Sequence, residues 1–263
     1  MHGGSLWQVA LQRQHVLVVG GLLVVVISSW AYLLSGAGML QEMDGMLMPM
    51  STGEWSLGYA LLMLLMWIVM MVAMMLPSAA PTILLYTTIA HKRHPATPRP
   101  GASTMFALGY VAVWCAFSLL AVSLQFALEQ AALMSSMMEV TSIAVAGTLL
   151  VAAGVYQWMP LKQACLRHCR SPLDFIVTHW RDGVSGAFRM GARHGVYCLG
   201  CCWAMMLLLF VGGIMNLAWI AGLALFILLE KLVPAGQWIG RVAGLVLVAW
   251  GIAVLMAIPI PVS

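Results

Sequence analysis

Charge is what this chain has least of. Only 8% of its 263 residues are Asp, Glu, Lys or Arg, against 63% hydrophobic. A soluble domain of that length needs more polar surface than this to face water. No GxxxxGK[ST] segment occurs, so nothing points to nucleotide binding or hydrolysis. No ionisable residue falls in the middle of an apolar run, which argues against the buried carboxylate relay of proton-driven pumps. His2, His15, His91, His94, His168, His179 and His194 all fall at or beyond the run boundaries, so facing histidines for a mid-membrane haem are missing. The net charge of +4 is modest and one-sided, and it implies no nucleic-acid partner.

What is present is a series of long apolar runs. A lipid bilayer needs about 20 mainly apolar residues per helical crossing. Runs near 16–34, 57–77, 104–128, 139–159, 197–214, 216–230 and 241–258 predict an all-α, polytopic bundle of seven spans forming one domain over 1–263. Arg13 precedes the first run and no A-x-A-like cleavage site follows, so that run reads as a span and not a signal peptide. Gly212, Gly213 and Asn216 supply turn chemistry for a tight hairpin between the fifth and sixth spans.

The twelve Lys and Arg residues then share one side of the seven-span arrangement, from Arg13 through Lys92, Arg93 and Arg99 to Lys231 and Arg241. By the positive-inside rule that side is cytoplasmic, with the N-terminus. Glu42, Asp44, Glu54, Glu129 and Glu139 lie on the other. His91 to Gly101 reads as a Pro-rich, basic loop that cannot continue a helix. In the longest loop, 160–196, Ser171 is placed to cap and Pro172 suits the first helical position. Leu173, Ile176, Val177 and Trp180 recur at helical spacing, predicting a short helix on the inner membrane surface. Gly183, Gly186, Gly191 and Gly195 after it suggest a compact return into the fifth span.

Chemistry concentrates in sulfur. Cys165, Cys169, Cys198, Cys201 and Cys202, five of the six cysteines, fall within 165–202 with His168 and His194 beside them. On a reducing side such a cluster suits metal binding or redox exchange better than a structural disulfide. Thiolates select Cu(I), Zn or iron–sulfur clusters. Cys201 and Cys202, being adjacent, point to different helix faces, so the five are not expected on one ion; Cys165 or Cys169 is expected to share one with Cys198 or Cys201. The pattern also suits plain packing, since cysteine serves membrane helices as a small apolar residue.

Methionine is the second signal. The outer loop carries Met39, Met43, Met46, Met48 and Met50 beside Glu42 and Asp44, and Met66, Met70 and Met74 follow at four-residue spacing along one helix face, with Met63, Met71 and Met75 near them. Thioethers bind soft Cu(I) without losing a proton, although methionine is also an adaptable core filler.

Three blocks resemble a known family. They are Trp67, Met70, Ala73, Met74, Met75, Pro77 and Pro81; Gln157, Trp158, Pro160, Leu161, Lys162, Cys165 and Cys169; and His194, Gly195, Tyr197, Cys198, Leu199, Gly200, Cys201, Cys202 and Trp203, with Glu230 and Lys231 closing the sixth span. Over roughly 55–235 the chain resembles a bacterial family of metal-binding integral membrane proteins, formerly a domain of unknown function, whose members are sometimes labelled copper chaperones. The resemblance implies a bacterial inner-membrane protein tied to copper.

The expected activity is therefore Cu(I) handling, by delivery or translocation, with no catalysis and zinc as the alternative ion. Its partners are the bilayer, the metal ion and a copper-receiving protein or membrane complex. Two competing expectations are a membrane thiol–disulfide oxidoreductase using Cys198-x2-Cys201, and a non-catalytic subunit or assembly factor of a copper enzyme.

Overall fold

A computed structural model describes residues 3–37, 40–43, 46–49, 55–93, 101–135 and 138–257, with side chains from residue 14 onward except in 40–49. It is helical apart from one small hairpin. In chain order the elements are α1 (Gly3–Leu34), β1 (Leu40–Met43), β2 (Met46–Pro49), α2 (Leu57–Arg93), α3 (Ala102–Gln130), α4 (Ile143–Tyr156), α5 (Pro160–Arg170), α6 (Pro172–Thr178), α7 (Gly183–Leu207), α8 (Leu209–Gly212), α9 (Leu217–Leu232) and α10 (Gly236–Met256). The hairpin pairs Gln41 with Met48 and Met43 with Met46, antiparallel, where the all-α reading expected only loop.

This is a membrane protein. Among the described residues, five helical stretches are long and apolar enough to cross a bilayer: residues 14–34, 57–93, 102–130, 183–212 and 236–256. A sixth is reached if α4 and α5, which bend by 63°, count as one crossing. The expected sixth span, α9, is not among them: it has 16 residues, about 24 Å at 1.5 Å per residue and short of a ~30 Å hydrocarbon core. Leu17, Leu120, Val242 and Leu245 stand well exposed on the outside of the bundle, as lipid-facing residues do.

Two boundaries differ from the sequence reading. Helix α2 runs to Arg93 instead of stopping near 77, carrying Pro77 and Pro81 inside it. Beside them, Ser78 Oγ and Tyr110 Oη both donate to the Met75 carbonyl, at 2.8 and 3.1 Å. Helix α7 begins at Gly183 instead of 197, so the glycine series is helix and not a return loop. Those glycines serve packing. A methyl group at Gly191 would collide with the Phe106 carbonyl, and one at Gly109 with the Phe188 carbonyl, so α3 and α7 press backbone to backbone. Helices α4 and α10 do the same through Gly154 and Gly244, where an added Cβ at either would sit 2.7–2.8 Å from the other's carbonyl oxygen.

Other expectations meet their elements directly. The short helix of the long loop is α6, with Ser171 at its cap position and Pro172 in its first turn, although the Ser171 side chain makes no capping bond. The predicted hairpin after α8 turns at Gly213, φ 90°. Asn216 caps α9, its Oδ1 accepting from the Trp219 amide at 3.1 Å. The long loop also holds a helix the sequence reading lacked, α5, on which Cys165 and Cys169 stand one turn apart. Helix α1 is the least embedded element, and an apolar cleft of about 800 Å³ lies between it, α2 and α3.

Candidate metal centre

Helices α2, α3, α5, α7 and α9 meet around a cluster of thiols. Cys165 and Cys169 are four residues apart, so one face of α5 carries both against α7. Cys165 rests on Gly200, where an added Cβ would come 2.7 Å from its Sγ. Cys169 Sγ lies 4.0 Å from Cys201 Sγ. One turn back along α7, Cys198 receives a hydrogen bond from the Lys231 ammonium at 3.0 Å and stands 3.0 Å from the Tyr110 hydroxyl. Cys202 turns the other way, placing its Sγ 3.9 Å from Met75 Sδ. The thiols of Cys169, Cys201 and Cys202 all lie close enough to interact with that of Cys198. None of the six cysteines is in a disulfide.

Depth is the main correction to the sequence picture. Cys198 is 15 residues into α7, about 22 Å from its start, and faces the middle of α2 and not the bundle's inner end. His194, expected at a boundary, is also buried inside α7 among Phe106, Tyr110 and Phe175, and its Nδ1 has no hydrogen-bond partner. His168 points elsewhere, stacking on Tyr197 with ring centroids 4.1 Å apart and its Nδ1 on the Ala164 carbonyl. Ionisable groups are buried in the bundle all the same, at or beyond the ends of the apolar runs and not in their middle. Lys162, Glu230 and Lys231 are each no more than 5% exposed.

Their partners explain how they survive there. Lys162 Nζ binds Glu230 Oε1 at 2.6 Å and also Gln157 Oε1, clamping α5 to α9. Arg170 reinforces the clamp from the end of α5, donating to the Val233 and Pro234 carbonyls at 2.9 and 2.6 Å. Lys231 faces the opposite way, to Ser78 Oγ at 3.1 Å and to Cys198. Its hydrogen-bond partners are a hydroxyl and a thiol. A buried cation is normally paired, and here the thiol cluster is what it pairs with.

A model of the PpoB2 family, described as a copper chaperone, matches residues 64–254. The chain belongs to that family. The match covers well over half the sequence and takes in every residue of the thiol cluster, while α1 and the Met-rich hairpin fall outside it. No curated protein and no solved structure matches the chain.

For a copper-chaperone family the donor set can be tested against the ion. With metal–sulfur bonds of about 2.3 Å, sulfurs 4.0 Å apart subtend about 120° at a shared ion, a trigonal angle. Among the described residues no group of three or more His, Cys, Asp or Glu side chains is arranged as a metal cage. A closed zinc site wants four such ligands, whereas soft Cu(I) accepts thiolate and thioether sulfur. The donors present are thiols and the Met75 thioether, soft ligands of the kind copper binds.

Of the remaining expected donors, Met66, Met70 and Met74 are fully buried along α2. Met43, Met46 and Met48 lie on the β hairpin with no side-chain description, and Met39 and Met50 lie outside the described residues. Sequence reasoning gave Lys231 no role beyond ending a span, and it assigned none to Tyr110 or Ser78. An ion-pair doublet, Glu230-Lys231, closing a long apolar run was the available signal for the first. Nothing local marks Tyr110 or Ser78.

Proposed function

We propose that this protein takes up Cu(I) on buried thioether sulfur and holds it on the thiols of Cys169, Cys198, Cys201 and Cys202, for delivery to a partner or passage across the membrane. The observation that carries this is the 3.9 Å approach of Cys202 Sγ to Met75 Sδ. It brings a buried methionine of α2 to the thiol cluster, and Met66, Met70 and Met74 are buried along the same helix. Lys231 supports it by placing its ammonium 3.0 Å from Cys198 Sγ, a counter-charge beside a metal-binding sulfur. In this reading α9 completes a seventh span, the N-terminus is cytoplasmic because the basic residues then share one side, and the membrane is a bacterial inner membrane. No step of catalysis is involved.

Thiol–disulfide exchange is the weaker reading, because an exchanging cysteine needs access and Cys198 and Cys201 are each 1% exposed. The deciding experiment is an anaerobic Cu(I) titration of detergent-purified protein against a coloured Cu(I) chelator, with X-ray absorption of the loaded sample. Wild type should retain a class of copper in an all-sulfur shell, and the pairs Cys169→Ser with Cys201→Ser, and Cys198→Ser with Cys202→Ser, should each lose that class. Equal retention by wild type and both variants would sink the proposal.

A further inference from the structure

Six turns of α3 beyond its start, three acceptors converge on one nitrogen. Gln125 Nε2 donates to Met63 Sδ at 3.6 Å, to Met138 Sδ at 3.8 Å and to Glu129 Oε1 at 2.8 Å. The amide is held in that orientation from its other side, since Trp67 Nε1 donates to Gln125 Oε1 at 2.9 Å. Glu129 is fixed in turn by Trp55 Nε1, which donates to its second oxygen at 2.8 Å. Met63 and Gln125 are fully buried and Met138 is 3% exposed. Met138 also sits at φ 56°, a left-handed conformation that a non-glycine residue keeps only when its surroundings impose it.

Packing alone does not ask for this arrangement. Thioethers are weak acceptors, and a buried amide that only needed satisfying has better partners in carbonyls or hydroxyls. Two thioethers and a carboxylate around one electron-poor centre match what a soft monovalent cation needs. Sulfur supplies the soft donors, and the single carboxylate cancels the single charge within an apolar setting. A divalent ion would leave one charge uncompensated.

We infer that Met63, Met138 and Glu129 form a second, separate Cu(I) site, whose place is held by the Gln125 amide when no ion is bound. It rests on the copper-handling function proposed above. Met63 precedes Met75 by 12 residues on the same helix, so the site lies about 18 Å along α2 from the thiol cluster. Met66 and Met70 stand between them. For an ion at the amide position each sulfur closes in by about 1.4 Å to reach a bond of about 2.3 Å, a shift that three rotatable bonds in each methionine accommodate.

The test uses Ag(I), a redox-inert soft monocation, titrated into purified full-length protein and read by bound stoichiometry and by tryptophan fluorescence. Wild type should bind ions in two classes, one of which changes the emission of Trp67 as Gln125 moves, a change that Trp67→Phe removes. Met63→Leu with Met138→Leu preserves volume and should delete that class while the thiol class persists. Cys198→Ser with Cys201→Ser should do the reverse. Glu129→Gln keeps the Trp55 contact and should weaken the first class by at least the roughly tenfold that losing even a supporting group costs a metal site. Should the methionine variant not fold, Glu129→Gln and Gln125→Met carry the test, the second tightening Ag(I) binding by adding a thioether. Unchanged stoichiometry and fluorescence in the methionine variant, or unchanged affinity of that class in the Glu129 variant, overturns the second site. Loss confined to the cysteine variant leaves the proposed function standing without it, and loss confined to the methionine variant does the opposite.

Discussion

Replacing Glu230 by Leu should strip Lys162 of its anion inside a dry interior, and the cost can be worked from the structure. Both groups are at most 1% exposed and meet at 2.6 Å, so the discount for solvent screening that applies to surface pairs does not apply here. Removing one partner of such a pair typically costs about 3–5 kcal/mol, because the other charge stays buried without compensation. Lys162→Met should cost about the same by the same argument. The double variant should lose far less than the sum, since replacing a whole buried pair by apolar groups is neutral or stabilising by about 1–4 kcal/mol. Gln157 opposes that gain. Its Oε1 loses Lys162 in the double variant while its Nε2 already lacks a partner, which costs about 1–3 kcal/mol for an orphaned polar atom. The double variant is therefore expected near wild type, and adding Gln157→Leu should raise it above wild type.

The assay is reversible unfolding in mixed micelles by titrated denaturing detergent, followed by near-ultraviolet circular dichroism, alongside alkylation of Cys169. The clamp holds α5, so each single variant should also expose Cys169 to alkylation and lower copper retention, and the double should restore both. A single-variant cost below about 1 kcal/mol, the scale of a solvated surface pair, refutes the dry ion pair. So does a double variant as unstable as the two singles added together.

Three further outcomes follow. Lys231→Met should slow alkylation of Cys198 and lower the fraction of protein that loads Cu(I), while Lys231→Arg should keep more of both, measured by mass-resolved alkylation in unfolded-quenched samples and by bound copper; no difference among the three proteins would remove Lys231 from the centre. Gly191→Val should force α3 and α7 apart at the Phe106 carbonyl and destabilise by the roughly 1–3 kcal/mol typical of overpacking, with Gly222→Val, which meets nothing within 4 Å, as the neutral control. A periplasmic reporter fused after Met50 should be active and one after Arg181 inactive; the reverse would turn the proposed orientation over.

The bundle was legible because apolar run length is a one-dimensional signal. Leu57 onward and Ala102 onward read as spans without any knowledge of neighbours. What failed were places where one residue type serves two purposes. Glycines 183, 186, 191 and 195 look like a turn in sequence, yet Gly191 and Gly195 are there because α3 lies too close for side chains. Pro77 and Pro81 look like a stop, yet α2 carries both and runs on to Arg93. At the candidate centre, thiol identity was readable but position was not. The C-x3-C pair became a paired face only through α5, a helix that low hydropathy and four basic residues concealed. Lys231 and Gln125 matter through partners 33 and 62 positions away, Cys198 and Met63, and no local pattern announces such a contact.

The two sulfur sites differ in a way that bears on direction. Met63, Met138 and Glu129 offer neutral sulfur with one carboxylate, donors that need no proton removed and bind a soft ion loosely. The thiols around Cys198 become the stronger donors once ionised, and Lys231 favours that ionisation, so on the proposed reading Cu(I) moves downhill from thioether to thiolate along α2. Lys231 has a second effect. Its ammonium occupies one side of Cys198 and repels a bound cation, so the strongest donor in the cluster is kept from binding as tightly as an unopposed thiolate would. A protein that passes copper onward needs both properties, capture at the thiols and release from them. The lysine beside the cysteine supplies each through the same charge, which is why Lys231→Met is expected to impair loading and, in whatever copper still binds, to slow its transfer to a competing thiol ligand.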